Sequence, residues 1–210
     1  MPPLGHRRRY PIEEFSKCLT IAVSASTSYM SRNYVDRRFD TDTIHAYENW
    51  IRDFAPSVDD VISRLTAAFA DFELDDGLGL WESQGLDDYA SPEELKELRS
   101  KDEKLNWRKI PIERMRRCYA APFFIDARGF VFHLPAFLIT ELNDQHIYGF
   151  IDRLYCSPES PAGWSDLLNA DQRNALAAAL QLIGAHPDYH RNADAIKTKI
   201  DQLNTMQKMG

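Results

Sequence analysis

The chain has 210 residues, of which 44% are hydrophobic and 11% aromatic, and a formal net charge of −7. That length suits a domain able to bury a core without metal or disulfide staples, and the aromatic content excludes disorder as its main state. Cys18, Cys118 and Cys156 are scattered and form no C-x-x-C pair, so buried thiols in a reducing compartment are expected. No apolar run approaches the ~20 residues of a membrane span, and no apolar stretch of a signal peptide follows the arginines at 7–9. A cytoplasmic protein with no membrane contact is expected, with residues 7–9 as a solvated tail.

The N-terminal third reads as helices. Ile12, Phe15, Leu19 and Ala22 recur at helical spacing. Asp40-Thr41-Asp42 opens a second run, with Ile44, Tyr47, Ile51 and Phe54 on one face and Trp50 close to it. Ser57 with Asp60 reads as a variant capping box. It starts a third helix whose stripe Val58, Val61, Ile62, Leu65, Phe69 and Phe72 is the cleanest pattern in the chain. Gly77 and Gly79 end that stripe.

The next segment holds the entire negative balance. Residues 71–103 carry twelve acids against Lys96, Arg99 and Lys101, a net of −9, whereas residues 1–70 are neutral and residues 104–210 carry +2. Such a window repels phosphates, so direct nucleic-acid binding through it is not expected. A solvated loop and helix face is the plain reading. Leu78, Leu80, Trp81, Leu86 and Tyr89 are nevertheless interleaved with the acids. Aromatics among carboxylates fit a protein-recognition surface, where the aromatics anchor and the charges steer. The expected partner is a basic protein, and the expected contact residues are Glu73, Asp75, Asp76, Trp81, Glu82, Asp87, Asp88 and Tyr89.

Ser91-Pro92-Glu93-Glu94 is a strong helix start, with a cap, a proline in the first turn and acids behind it. Ile110-Pro111 starts another, predicted to turn Ile112, Met115, Cys118 and Tyr119 inward and Arg114, Arg116 and Arg117 outward. Residues 123–134 alternate aromatic and branched side chains around Asp126-Ala127-Arg128-Gly129, a turn-like tetrad, and predict a short β-hairpin. Pro135 is then expected to open a helix with Phe137, Leu138 and Leu142. Ile147, Phe150, Ile151 and Leu154 resume the helical period, and residues 157–163 read as a loop. Asn169 with Gln172 caps a helix bearing Leu176, Leu180 and Ile183, and Ala193, Ile196, Ile200 and Leu203 mark the last. The expected fold is mainly α: a single helical domain over residues 1–210 with an acidic loop and helix at 71–103 and one hairpin at 123–134.

Catalytic signatures are missing: there is no phosphate-binding glycine loop, no nucleophile elbow and no H-E-x-x-H. His186-Pro187-Asp188-Tyr189-His190 offers two imidazoles and a carboxylate, but Pro187 prevents a continuous helix from aligning His186 with His190. No metal and no cofactor is expected. His133 is expected at the hairpin edge, half exposed, as a structural histidine.

Residues 107–142 carry Trp107, Ile110-Pro111, Phe123-Phe124, Gly129-Phe130 and Phe132-His133-Leu134-Pro135-Ala136-Phe137-Leu138. This arrangement resembles an uncharacterised bacterial domain family of unknown function. Domains of this style are similar to small cytosolic immunity proteins encoded beside secreted toxins. The resemblance implies a non-catalytic immunity protein whose acidic surface neutralises a cognate toxin, such as one acting on nucleic acid through a basic cleft. The alternatives are a small metal-dependent hydrolytic enzyme using His186, Asp188 and His190, and a non-catalytic interaction adaptor.

Overall fold

The structure, a computed structural model, describes residues 40–143, 145, 147, 150–156, 161 and 163–208. The expected first helix at 12–23, the tail at 7–9, Cys18 and most of the 157–163 loop lie outside the described residues. Among those described there are ten α-helices and no strand.

Helix α1 (Thr41–Asp53) starts where Asp40 Oδ1 accepts a hydrogen bond from the Thr43 N–H at 2.9 Å. Helix α2 (Val58–Ala68) buries Val58, Val61 and Leu65 as its stripe predicts. The capping box expected at Ser57 does not form. Ser57 ends a 3-10 turn (Ala55–Ser57) with φ −90° and ψ −7°, a helical backbone from which the side chain caps nothing. Helices α3 (Leu80–Asp87) and α4 (Pro92–Ser100) follow, and at α4 the Ser91–Glu94 box is complete. Next come α5 (Ile112–Arg117) and the single turn α6 (Ala121–Phe124).

The hairpin expected at residues 123–134 is absent, and helix takes its place. Phe123 and Phe124 end α6, and α7 runs over Ala127–Leu142. Asp126 is the N-cap of α7, its Oδ1 accepting from the Gly129 N–H at 2.7 Å, so the turn-like tetrad is a helix start. Pro135, expected to open a helix, lies inside α7. Every residue from Gly129 to Leu142 is buried. A helix covered on all sides has no amphipathic period to display, and its aromatic and branched residues mimic a strand. His133 is fully enclosed rather than half exposed, with Nδ1–H donating to the Gly129 carbonyl at 2.7 Å.

Helix α7 is the axis of the fold. It contacts α2, α8 (Phe150–Cys156), α9 (Ala170–Ala185) and the 3-10 turns Trp107–Lys109 and Trp164–Leu167. Phe150 stacks on Phe137 at 4.0 Å and on Phe130 at 4.7 Å, and Trp164 meets Phe130 edge-on at 5.2 Å. The capping box at Asn169–Gln172 is present, and α9 packs on α10 (Ala193–Lys208) and α2. One connected core extends from Trp50 to Leu203. No helix among the described residues is long and apolar enough to cross a membrane.

Candidate functional site

Much of the acidic segment is tied to the fold. The loop before α3 is drawn onto the start of α7, where Asp126 Oδ1 also accepts the Leu78 N–H at 3.0 Å. Arg128 donates to the Leu74 carbonyl at 3.2 Å and pairs with the Asp75 carboxylate. Asp75 itself sits at φ 49°, in the left-handed region. Arg99 pairs with Glu82 at 2.7 Å and donates to the Asp76 carbonyl at 2.8 Å. Asp102 is buried, and its carboxylate accepts the Trp81 and Glu82 N–H groups at 2.9 and 3.2 Å, capping α3 from across the loop. Glu103 accepts three consecutive backbone N–H groups, from Lys104, Leu105 and Asn106. These acids offset helix dipoles and loop donors, so their repulsion is repaid within the fold.

Of the expected contact residues, Glu73, Asp75, Asp76, Asp88 and Tyr89 are exposed, while Trp81, Glu82 and Asp87 are half buried. Asp75 and Glu82 are held in ion pairs, and Trp81 lies beneath the Arg117 guanidinium, 5.7 Å from its centroid. Tyr89 stands out. It is 94% exposed and adopts φ 56°. The backbone explains the angle: Ala90 N–H bonds the Gly85 carbonyl at 2.9 Å and Tyr89 N–H bonds the Leu86 carbonyl at 3.3 Å. This is the Schellman closure of α3, and Tyr89 fills the left-handed position that glycine favours. A large aromatic is therefore kept, wholly in water, where its backbone costs about 1 kcal/mol.

A side chain overlooked in the sequence joins this end of α3 to a second group of aromatics. Buried Gln84 donates to Asp88 at 3.1 Å and accepts the Ala120 N–H at 3.0 Å. The clamp brings Asp88 and Tyr89 to the segment bearing Tyr119, Phe123 and Phe124, which are 59%, 53% and 40% exposed. Tyr119 was expected to face inward. Cys118 leaves the helical backbone at ψ 55°, which breaks the register on which that expectation rests. Phe123 and Phe124 belong to a helix of four residues, too short to bury both. Cys118 is a free, buried thiol, pushed up to about 12 mainly by burial, which makes it unreactive.

The histidine cluster lies elsewhere. Tyr47 donates to Asp188, Tyr189 donates to buried Glu141, and the Trp50 ring meets His186 edge-on at 4.7 Å. His186 Nδ1 accepts the Asp188 N–H at 3.3 Å, and His190 Nδ1 faces the Pro187 carbonyl at 2.9 Å. The cavity there is about 10 Å³, room for a single water. No group of three or more His, Cys, Asp or Glu among the described residues is placed to hold a metal ion.

The described residues thus define an all-helical domain in which individual acidic and aromatic side chains between Glu73 and Phe124 are exposed. A match to the family of unknown function DUF6714 spans residues 57–205, and the chain belongs to that family. The segment from Glu73 to Phe124 falls entirely within the match, whereas Tyr47 and Trp50 of the histidine cluster fall outside it. No curated protein and no solved structure matches the chain.

Proposed function

We propose that the chain is a non-catalytic binding domain of the immunity type, which covers the basic surface of a cognate toxin. The observation that carries this reading is Tyr89, exposed over 94% of its surface in a backbone conformation that glycine would adopt more readily. Sites that break a local rule at a stability cost are commonly functional. Exposed Asp88 and half-buried Asp87 directly precede it in sequence, and with exposed Glu73 and Asp76 further upstream they supply the steering charge for a basic partner. Glu82 and Asp75 shape the segment through Arg99 and Arg128.

Co-expression tests the reading. The product of the adjacent gene is produced in cells with and without this chain, and growth is followed. Restored growth with the wild-type chain, lost when Asp87, Asp88 and Tyr89 are changed together to Asn, Asn and Gly, is the expected result. An adjacent product that is harmless, or one whose toxicity the chain leaves untouched, would refute the immunity assignment.

A further inference from the structure

Helix α1 covers the histidine cluster and is docked along one edge. Of its thirteen residues Trp50 alone is buried and eight are exposed, whereas α9 buries seven of its sixteen. A helix of this length, with two threonines and two isoleucines, is marginal in water by itself, so its structure depends on docking. Phe54 leaves the helical backbone at φ −120° and Pro56 follows, so α1 is not continuous with α2.

Trp50 is the anchor. Its Nε1–H donates at 3.1 Å to the Leu182 carbonyl in the last turn of α9, whose helical donor, the His186 N–H, bonds Ile183 instead. The Trp50 and Tyr47 rings meet His186 edge-on at 4.7 and 5.6 Å, and Tyr47 donates to Asp188. Beneath them lie buried His186 and the buried Glu141 carboxylate, which accepts from Tyr189. Trp50 forms one wall of the small cavity there, and Glu141, His186 and Tyr189 are among the others. Those other walls lie within the family match, and α1 lies before it. We propose that α1 is a strap that opens as a unit, hinged at Phe54, and uncovers this pocket. Opening withdraws the indole and leaves a cleft of its volume walled by a carboxylate, an imidazole and a phenol. One buried side chain is the main resistance to it, so α1 opens while α7 and α9 stay folded. The strap is measured on the chain alone and is independent of the immunity reading.

Native-state hydrogen exchange of the full chain is the test, with modification of His186 by diethyl pyrocarbonate as a second readout. The amides of residues 45–53 should exchange at least about a hundredfold faster than those of α7 and α9. Tyr47→Phe should speed their exchange about three- to tenfold and leave α9 unchanged. His186 modification should rise by the same factor, with enclosed His133 as the unreactive control. Trp50→Ala should bring the α1 amides to the rate of an unstructured chain while α7 and α9 keep their protection. Amides of α1 that exchange only with those of α9, through global unfolding, overturn the proposal. So does a Tyr47→Phe chain in which α1 exchange accelerates and His186 modification does not, because the helix then frays without uncovering the pocket. A Trp50→Ala chain that loses protection in α7 and α9 as well makes Trp50 part of the common core and overturns it too.

Discussion

The Asp102 carboxylate occupies the space that a side chain on Gly79 would need, so the two residues exclude one another's enlargement. Gly79 is the N-cap residue of α3 and has no side chain to cap it, and Asp102 supplies the missing acceptor from 20 residues downstream of Glu82. The acidic segment is closed on itself by this contact.

Gly79→Ala is expected to push Asp102 off the Trp81 and Glu82 N–H groups. Overpacking of this kind costs about 1–3 kcal/mol, and the lost cap adds to it. Chemical denaturation reads the loss directly. A midpoint equal to wild type would mean that the loop yields freely and that Asp102 is not a fixed cap.

Stability should depend on pH through His133. Burial holds its imidazole at about 4, below the usual 6.5, despite the Nδ1 bond to Gly129. Between those values the unfolded chain takes up a proton that the folded chain refuses. The contribution is complete above the unfolded value and is lost as pH falls toward 4, by roughly 3 kcal/mol in total. His133→Asn, whose amide can replace the Nδ1 donor, should flatten that slope. Asp102 acts in the opposite sense: burial raises its pKa against the bonds from Trp81 and Glu82. Its contribution is complete below the unfolded carboxyl value and declines as pH rises through the folded one. Identical acid-side slopes in wild type and His133→Asn would refute the burial of a neutral imidazole.

Phe137→Ala should destabilise by about 3–5 kcal/mol, because the ring stacks on Phe150 within the core around α7. Thermal unfolding would show this as a drop of roughly 6–20 °C for a chain of this size. A change of under a degree would place Phe137 outside the core.

Tyr89→Gly should raise stability by about 1 kcal/mol, since glycine adopts the left-handed closure of α3 without strain. The expected sign is opposite to that of most substitutions. A lowered midpoint would show that the Tyr89 ring stabilises the fold.

Helical elements with a clear stripe were legible in the sequence, and so were caps made within one segment. Val58, Val61 and Leu65 face the core as their spacing indicates, and Ser91–Glu94 and Asn169–Gln172 form the boxes they spell. Helix α7 was not legible, because complete burial erases the polar face that identifies a helix, and an N-cap aspartate with glycine three residues on looks the same as a β-turn. Gly129 answers to a distant residue: a side chain there would overlap the Leu78 carbonyl. The candidate site was half visible. Trp81 and Tyr89 stand out among the acids in the sequence, whereas the packing of the Tyr119–Phe124 segment against α3 depends on tertiary contacts such as the Gln84–Ala120 hydrogen bond, between residues 36 positions apart.

The central claim is that Tyr89 is kept in a costly backbone conformation to grip a partner. Binding kinetics of wild type and Tyr89→Gly against the adjacent gene product test it most directly. The account predicts that Tyr89→Gly, although more stable, dissociates at least about tenfold faster, with association little changed because the carboxylates remain. Equal dissociation rates for the two proteins would contradict it, leaving Tyr89 as an unused surface residue.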